Sequence, residues 1–261
     1  MAEAQGGGYP PPRSWLSEHP PTILRFRPEL TADLTAVDGA EQGVLRLEYF
    51  AYRALSEHIQ LLLELVSVPY DLVMHYNPQF QGQPRYRDYA PHGQLPMLTD
   101  PALGFPLSES GAIFRHLARK LGVQGRTPAE VARVDMLCEL AQDIKGSDWT
   151  GQDRHMKAAE SAVAAAGAAG SAADAASLPC CLVGGEPSAA DVWLFWVLNC
   201  LADTEPERLE PYPELRRFHT AFAEQPAVAA FYQSPRSFAL CKFQQDPKGV
   251  SGEYAEENYL V

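Results

Sequence analysis

Apolar and polar positions interleave in Val44-Leu45-Arg46-Leu47-Glu48-Tyr49-Phe50, which fits a short strand. Leu55, Ile59, Leu62 and Val66 then recur at helical spacing. Tyr70 to His75 reads as a second strand. Pro96 to Thr99 and Phe105 to Leu107 read as two more, and Asp100-Pro101-Ala102-Leu103-Gly104 between them has turn chemistry. A helix is predicted from about Ser110 to Leu121, closed by Gly122. The order β-α-β, then β-β-α, predicts a small α/β domain.

The second half shows no convincing strand pattern. Thr127-Pro128-Ala129-Glu130 has the form of a capping box with proline at the first helical position. Val131, Val134, Cys138, Ala141 and Ile144 continue that helix. The tract Ala158 to Ala176 is Ala-rich, a composition that favours helix, and Gly167 and Gly170 weaken it. Ser188-Ala189-Ala190-Asp191 starts an apolar helix from Val192 to Leu201. Pro213 to Glu224 and Pro226 to Gln233 are further helices, each begun by proline. No internal repeat is visible.

Residues 1–43 are rich in Pro, Gly and polar side chains, as in Gly6-Gly7-Gly8-Tyr9-Pro10-Pro11-Pro12, and lack sustained periodicity. They read as a flexible extension, with folded structure beginning at Val44. The expected division is therefore extension 1–43, α/β domain 44–122, all-helical domain 127–240 and tail 241–261.

Composition narrows function more than fold. A length of 261 residues suits two modest domains. The net charge of -12 argues against a nucleic acid as the main partner, because neutralising a phosphate backbone takes clustered Lys and Arg. A small anionic ligand needs only a local basic pocket. Cys138, Cys180, Cys181, Cys200 and Cys241 are odd in number, and two are adjacent. That is neither a disulfide framework nor a zinc pattern, and it points to free thiols in a reducing compartment. The histidines show no metal spacing. No apolar signal core opens the chain, and Val192 to Leu201 is far too short to span a bilayer. A cytoplasmic location without a membrane partner is expected.

The order of elements in the first half matches the thioredoxin fold, whose signature is a cis proline opening the third strand, here in Gln94-Leu95-Pro96-Met97-Leu98. Such a turn exposes the backbone of Leu95 for strand-like pairing with a bound peptide. Where thioredoxins carry Cys-x-x-Cys, this chain has Tyr49-Phe50-Ala51-Tyr52. That excludes thiol–disulfide exchange by that route. Three segments taken together resemble the cytosolic glutathione transferases, over roughly Val44 to Leu240. They are Leu47-Glu48-Tyr49-Phe50 with Arg53; Gly93-Gln94-Leu95-Pro96 with Leu107 to Leu117; and Pro187-Ser188-Ala189-Ala190-Asp191 opening an apolar helix. The likeness is greatest to the sigma, pi and mu classes, which use a tyrosine. It implies an α+β architecture: a thioredoxin-like glutathione-binding domain followed by an all-helical domain.

The resemblance assigns residues one by one. Tyr49 matches the tyrosine that hydrogen-bonds the glutathione thiolate; Tyr52, one turn on, is its rival or a group facing the electrophile. A free thiol titrates near 8.5, so stabilising the thiolate supplies the nucleophile at neutral pH. Arg53 matches an arginine near the glycyl arm or the thiolate, or is a solvated helix-start residue. Leu95 and Pro96 would pair with the cysteinyl unit, and Gln94 would bond the middle of the peptide. Ser110, at a helix N-terminus, suits the glutamyl carboxylate and Glu109 its ammonium; simple capping is the alternative for both. Glu139 falls where related classes place an acid that reaches across a homodimer to the same ammonium.

For the glycyl carboxylate the pattern departs from the family. Counting back from the Gly-Gln-Leu-Pro turn gives Gln83 and Arg87 in place of Trp and Lys, after a long Asn77 to Gly82 segment. Arg87 retains a carboxylate donor. His92 stands where some classes insert an aromatic key into the partner subunit, which implies a flatter, more polar interface. Asp191 is expected to cap its helix.

The implied activity is conjugation of glutathione, as co-substrate and without a metal, to a hydrophobic electrophile. The expected apolar pocket is lined by the Leu137 to Asp143 helix face and the C-terminal segment. The alternatives are glutathione-dependent isomerisation of the prostaglandin D synthase type, and a non-catalytic binding or structural protein on the same fold.

Overall fold

The computed structural model describes residues 22–26, 34–35, 43–50, 53–75, 90–145, 153–169 and 181–238. Their contacts divide into two compact units. One contains the described residues up to Ile59, Val66–Ile113 and the described residues from Gln233; the other contains Gln60–Leu65 and Phe114–Tyr232.

The first unit is built on one six-stranded sheet. Its strands are β1 (Thr22–Phe26), β2 (Leu34–Thr35), β3 (Leu45–Phe50), β4 (Tyr70–His75), β5 (Met97–Thr99) and β6 (Pro106–Ser108), in the order β2-β1-β4-β3-β5-β6. β3 lies parallel to β4 and antiparallel to β5, and the other pairs are antiparallel. Helix α1 (Ala54–Leu65) is the crossover that a parallel β3/β4 pair requires. Helix α2 (Ser110–Lys120) follows β6 and ends at Gly122, whose φ of 75° is the left-handed closure expected from sequence.

The strand order overturns one expectation. Thr22–Phe26 and Leu34–Thr35, read from sequence as part of a flexible extension, are strands of this sheet. β1 pairs along its whole length with β4, from Thr22↔Met74 to Phe26↔Tyr70. Prolines flank Thr-Ile-Leu-Arg-Phe and no local pattern marks it as a strand. Its order comes from the free edge of β4, a row of backbone donors and acceptors that any extended segment can complete. Side chains then fix the pairing. Leu24 is buried. Arg25 Nε lies 3.5 Å from the buried Asp71 carboxylate. The Phe26 ring sits 5.7 Å from Tyr70, with the Arg236 guanidinium 4.9 Å from its centre.

The second unit is helical throughout its described residues. Besides the ends of α1 and α2 it holds α3 (Pro128–Lys145), α4 (Asp153–Ala169), α5 (Ala189–Thr204), a 3-10 turn at Pro206–Leu209, α6 (Pro213–Ala223) and α7 (Pro226–Tyr232). α5 is apolar all round and buried from Ala189 to Leu198, as befits a central helix. Phe195 stacks on Phe222 at 4.8 Å, and Trp193 meets Phe114 edge-on at 4.9 Å. At the start of α3 one half of the expected capping box is present, Thr127 Oγ1 accepting from Glu130 N–H at 3.2 Å, while Glu130 Oε2 accepts from Arg126 N–H, one residue before the cap, at 2.7 Å. At the start of α6, Glu160 of α4 takes the N–H groups of Glu214 and Leu215 at 3.0 and 2.8 Å, a carboxylate at the positive end of a helix. The sequence division at 127 is displaced, since residues from Phe114 cluster with the helices and those from Gln233 with the sheet.

Asp191 carries the start of α5. Its Oδ2 accepts from Ser188 N–H and Ser188 Oγ–H, each at 2.7 Å, and its Oδ1 from Leu182 N–H at 2.8 Å. The first of these completes the capping box foreseen in the sequence. The bond to Leu182 ties down the preceding loop. Burial pushes the carboxyl up to about 7, against the pull of those three donors.

Two outcomes are expected. Leu24→Ala lowers the unfolding free energy by about 2 kcal/mol in urea titrations, the cost of emptying a buried leucine site; no change would return residues 22–26 to a dispensable extension. For Asp191, the folded chain retains a proton between about pH 4, where a free Asp titrates, and about pH 7. That contribution is complete below pH 4 and lost as pH rises to 7. The stability of the wild type relative to Asp191→Asn should fall over that interval and then level off, measured by urea unfolding at stepped pH. The opposite slope would mean that the three donors keep the carboxylate ionised.

Candidate functional site

The sheet register assembles the site. In the β3/β5 pair Glu48 faces Met97, and in the β5/β6 pair Met97 faces Ser108. The next residue of each strand therefore lies at one end of the sheet: Tyr49 on β3, Pro96 entering β5 and Glu109 leaving β6. Residues far apart in sequence are brought into one row by three short strands.

Tyr49 is buried, 2% exposed, among Phe50, Ala54, Ala90, Leu95 and Met97. Its ring lies 5.4 Å from that of Phe50. The phenol oxygen accepts the N–H of Leu55 at 3.2 Å. That amide belongs to the first turn of α1, which has no partner within the helix. A phenol hydroxyl can accept one hydrogen bond and donate another.

Leu95–Pro96 is a cis peptide, as the thioredoxin signature requires. Leu95 and Pro96 are buried, whereas Gln94, extended at φ -136° and ψ 155°, is exposed. Glu109 adopts a left-handed φ of 70°, and its carbonyl accepts from Ile113 N–H at 2.9 Å, so it caps α2 through its backbone. Its carboxylate meets His92 Nδ1 at 3.2 Å. Ser110 is the first residue of α2 and half-buried. Ser110 stands beside the first-turn amides of α2, which have no partner within the helix.

Other expected site residues are placed differently. Arg53 is not a solvated helix-start residue. It is 6% exposed, and its Nε donates at 2.7 Å to Glu57, which is 1% exposed. Sequence reasoning missed Glu57, although the i,i+4 spacing of Arg53 and Glu57 was the available signal. Glu139 lies on the exposed side of α3, paired with Arg115 Nη2. Arg115 also lies 3.7 Å from Asp135 and 5.2 Å from the centre of the Trp193 ring. On the Leu137 to Asp143 face expected to line a pocket, Leu137, Cys138 and Ala141 are buried, and α3 packs on α5. Tyr52, Gln83, Arg87 and the segment 77–82 lie outside the described residues, as do the tail from 241 on, Cys180 and Cys241.

The described cysteines, Cys138, Cys181 and Cys200, are free thiols. Burial pushes Cys138 up to about 12, so it supplies no thiolate at neutral pH. Among the described residues no group of His, Cys, Asp and Glu is placed to hold a metal, and no helix is long and apolar enough to cross a membrane.

A thioredoxin-like unit with a tyrosine in place of the redox cysteines, followed by a helical unit, defines the class of protein. The comparisons agree. A family model described as the glutathione S-transferase N-terminal domain matches residues 45–119, and one described as the glutathione S-transferase C-terminal domain matches 180–235. A glutathione S-transferase of Dirofilaria immitis is 30% identical, over 71% of this chain and 90% of its own. A Caenorhabditis elegans glutathione S-transferase P is 28% identical, over 72% and 91%. The solved structure of an Onchocerca volvulus Pi-class glutathione S-transferase superposes with a TM-score of 0.61 at 24% identity, covering 77% of this chain and 99% of its own. The chain belongs to the glutathione S-transferase family, whose members are transferases with glutathione as co-substrate.

The burial of Arg53 yields a prediction that separates scaffold from ligand. Arg53→Ala should lower the unfolding free energy of the protein without glutathione by about 3–5 kcal/mol, because it removes the cation that faces the buried Glu57 carboxylate. Double replacement by Met at 53 and 57 should recover most of that loss in thermal melts. If the single variant melts like wild type, Arg53 is not held by its buried pair.

Proposed function

We propose that this protein conjugates the glutathione thiolate to a hydrophobic electrophile, with Tyr49 as the group that stabilises the thiolate. The observation that carries the reading is the end-of-sheet row of Tyr49, cis-Pro96 and Glu109 in a chain of this family. Leu95 offers its backbone to the cysteinyl unit beside the cis bond. Gln94 bonds the peptide, and Ser110 with the first amides of α2 takes the glutamyl carboxylate. Glu109 takes the ammonium, and Arg87 the glycyl carboxylate.

The Tyr49 O–H donates to the sulfur and favours its anionic form, and Leu55 N–H lowers the cost of charge on the phenol oxygen. The thiol proton leaves to solvent. The sulfur lone pair then forms a C–S bond to the electrophilic carbon, and either a leaving group departs with its electron pair or the addition product takes up a proton. The protein provides a thiolate at neutral pH and holds it in place.

The test is glutathione titration followed by thiolate ultraviolet absorbance, at a pH below that at which the free thiol ionises. Thiolate should appear with the wild type and vanish with Tyr49→Phe, while that variant still binds the peptide. Turnover with a generic aryl electrophile should fall roughly 100- to 1000-fold, the worth of one well-placed donor. Unchanged turnover in Tyr49→Phe would remove Tyr49 from this role.

A further inference from the structure

The turn before the cis proline holds a histidine against the end of β6. Pro91–Gly93 forms a 3-10 turn closed by Gly93 N–H donating to Ala90 C=O at 2.8 Å. Ser108 Oγ–H donates to Pro91 C=O at 3.3 Å and fastens that turn to β6. His92 and Glu109 both adopt left-handed backbone, φ 59° and 70°, a conformation uncommon outside glycine. Their side chains meet at 3.2 Å, and both are widely open to solvent, 68% and 61% exposed. Among the described residues each is the other's only charged contact. Of the elements that meet there, the 3-10 turn contributes His92, β6 contributes no charge and the α2 start contributes Glu109 with its first-turn amides.

We propose that His92 competes with the ligand for the Glu109 carboxylate, so that glutathione affinity depends on pH at the glutamyl end of the site. The inference rests on the reading of Glu109 as acceptor of the glutathione α-ammonium. Imidazole is the side chain that changes charge between about pH 5 and 8. When it is protonated it holds the carboxylate by a charge-assisted bond, and its positive charge faces the incoming ammonium. When it is neutral the hold weakens and the repulsion disappears. Affinity therefore falls as pH falls. Because the pair is exposed, the effect is modest: a contact of this kind is worth about 0.2–1 kcal/mol, a change of about 1.4- to 5-fold in binding.

The experiment uses S-hexylglutathione, which has no free thiol, so that sulfur ionisation does not enter. Its dissociation constant is measured by calorimetry on the full chain at pH 7.0, 6.25 and 5.5, where the ligand's α-ammonium stays largely charged. Wild type is expected to bind about 1.4- to 5-fold more weakly at pH 5.5 than at 7.0. His92→Gln keeps a neutral polar group and should lose that slope while binding more tightly than wild type at pH 5.5. Glu109→Gln should bind more weakly at pH 7.0 and show a shallower slope, the part left by repulsion between His92 and the ammonium. A His92→Gln variant that keeps the wild-type slope overturns the proposal. Binding by Glu109→Gln as tight as wild type at pH 7.0 overturns the assignment of the ammonium to Glu109, and the proposal with it. If no form binds at any pH, the glutathione reading itself falls.

Discussion

The candidate site hangs from the register of β3. This strand is held on both sides, parallel to β4 and antiparallel to β5, and β5 passes the alignment on to β6. A one-residue slip would turn Leu47 and Tyr49 to the opposite face and move Tyr49 away from the cis-proline turn. The buried row Leu45, Leu47, Leu72 and Leu98 forbids that slip, because Leu47 is fully enclosed opposite Leu72 and Leu98. Hydrophobic burial thus sets the alignment of polar groups that make few bonds among themselves.

The other face of the same strands solves a different problem. Arg46, Glu48, Asp71 and His75 alternate with the apolar row and are nonetheless covered. Arg46 Nε lies 3.0 Å from the Glu48 carboxylate, His75 Nε2 and Glu48 Oε2 meet at 2.7 Å, and Arg25 of β1 lies beside Asp71. Charges removed from water are tolerated when each faces an opposite charge. β1 is therefore more than a cover for an open edge: it brings a cation to a carboxylate otherwise buried in the sheet. Arg53 and Glu57 repeat the arrangement at the start of α1. There the pair stiffens the first turn of α1, which supplies the amide bound to the phenol oxygen.

Elements with local chemical punctuation were legible in the sequence. β5, β6 and the helices α2, α3 and α5 are announced by Pro96, the Asp100–Gly104 turn, Gly122, Thr127 and Ser188 with Asp191, each acting within a few residues, whereas the Ala-rich tract read over 158–176 is a helix from Asp153 to Ala169 whose start no such signal marks. β1 was not legible, since the ladder that orders it belongs to β4. At the site, the row of Tyr49, Pro96 and Glu109 followed from resemblance. The partners of these residues did not, because they depend on tertiary approach. His92 reaches Glu109 only because two non-glycine residues take left-handed backbone, and Arg115 reaches Glu139 from a different helix. The Leu182 amide on Asp191 likewise depends on a loop path that no motif encodes.

The pairing of β1 with β4 sets an order of events during synthesis. Thr22 must wait for Met74 before its ladder can form. At about 5–20 residues per second the early segment has left the ribosome for roughly 3–10 s before its partner strand is complete. Throughout that delay Ile23, Leu24 and Phe26 have no sheet to join. Their flanking prolines and Arg25 act as gatekeepers of a kind, keeping five strand-forming residues from finding an intermolecular partner first.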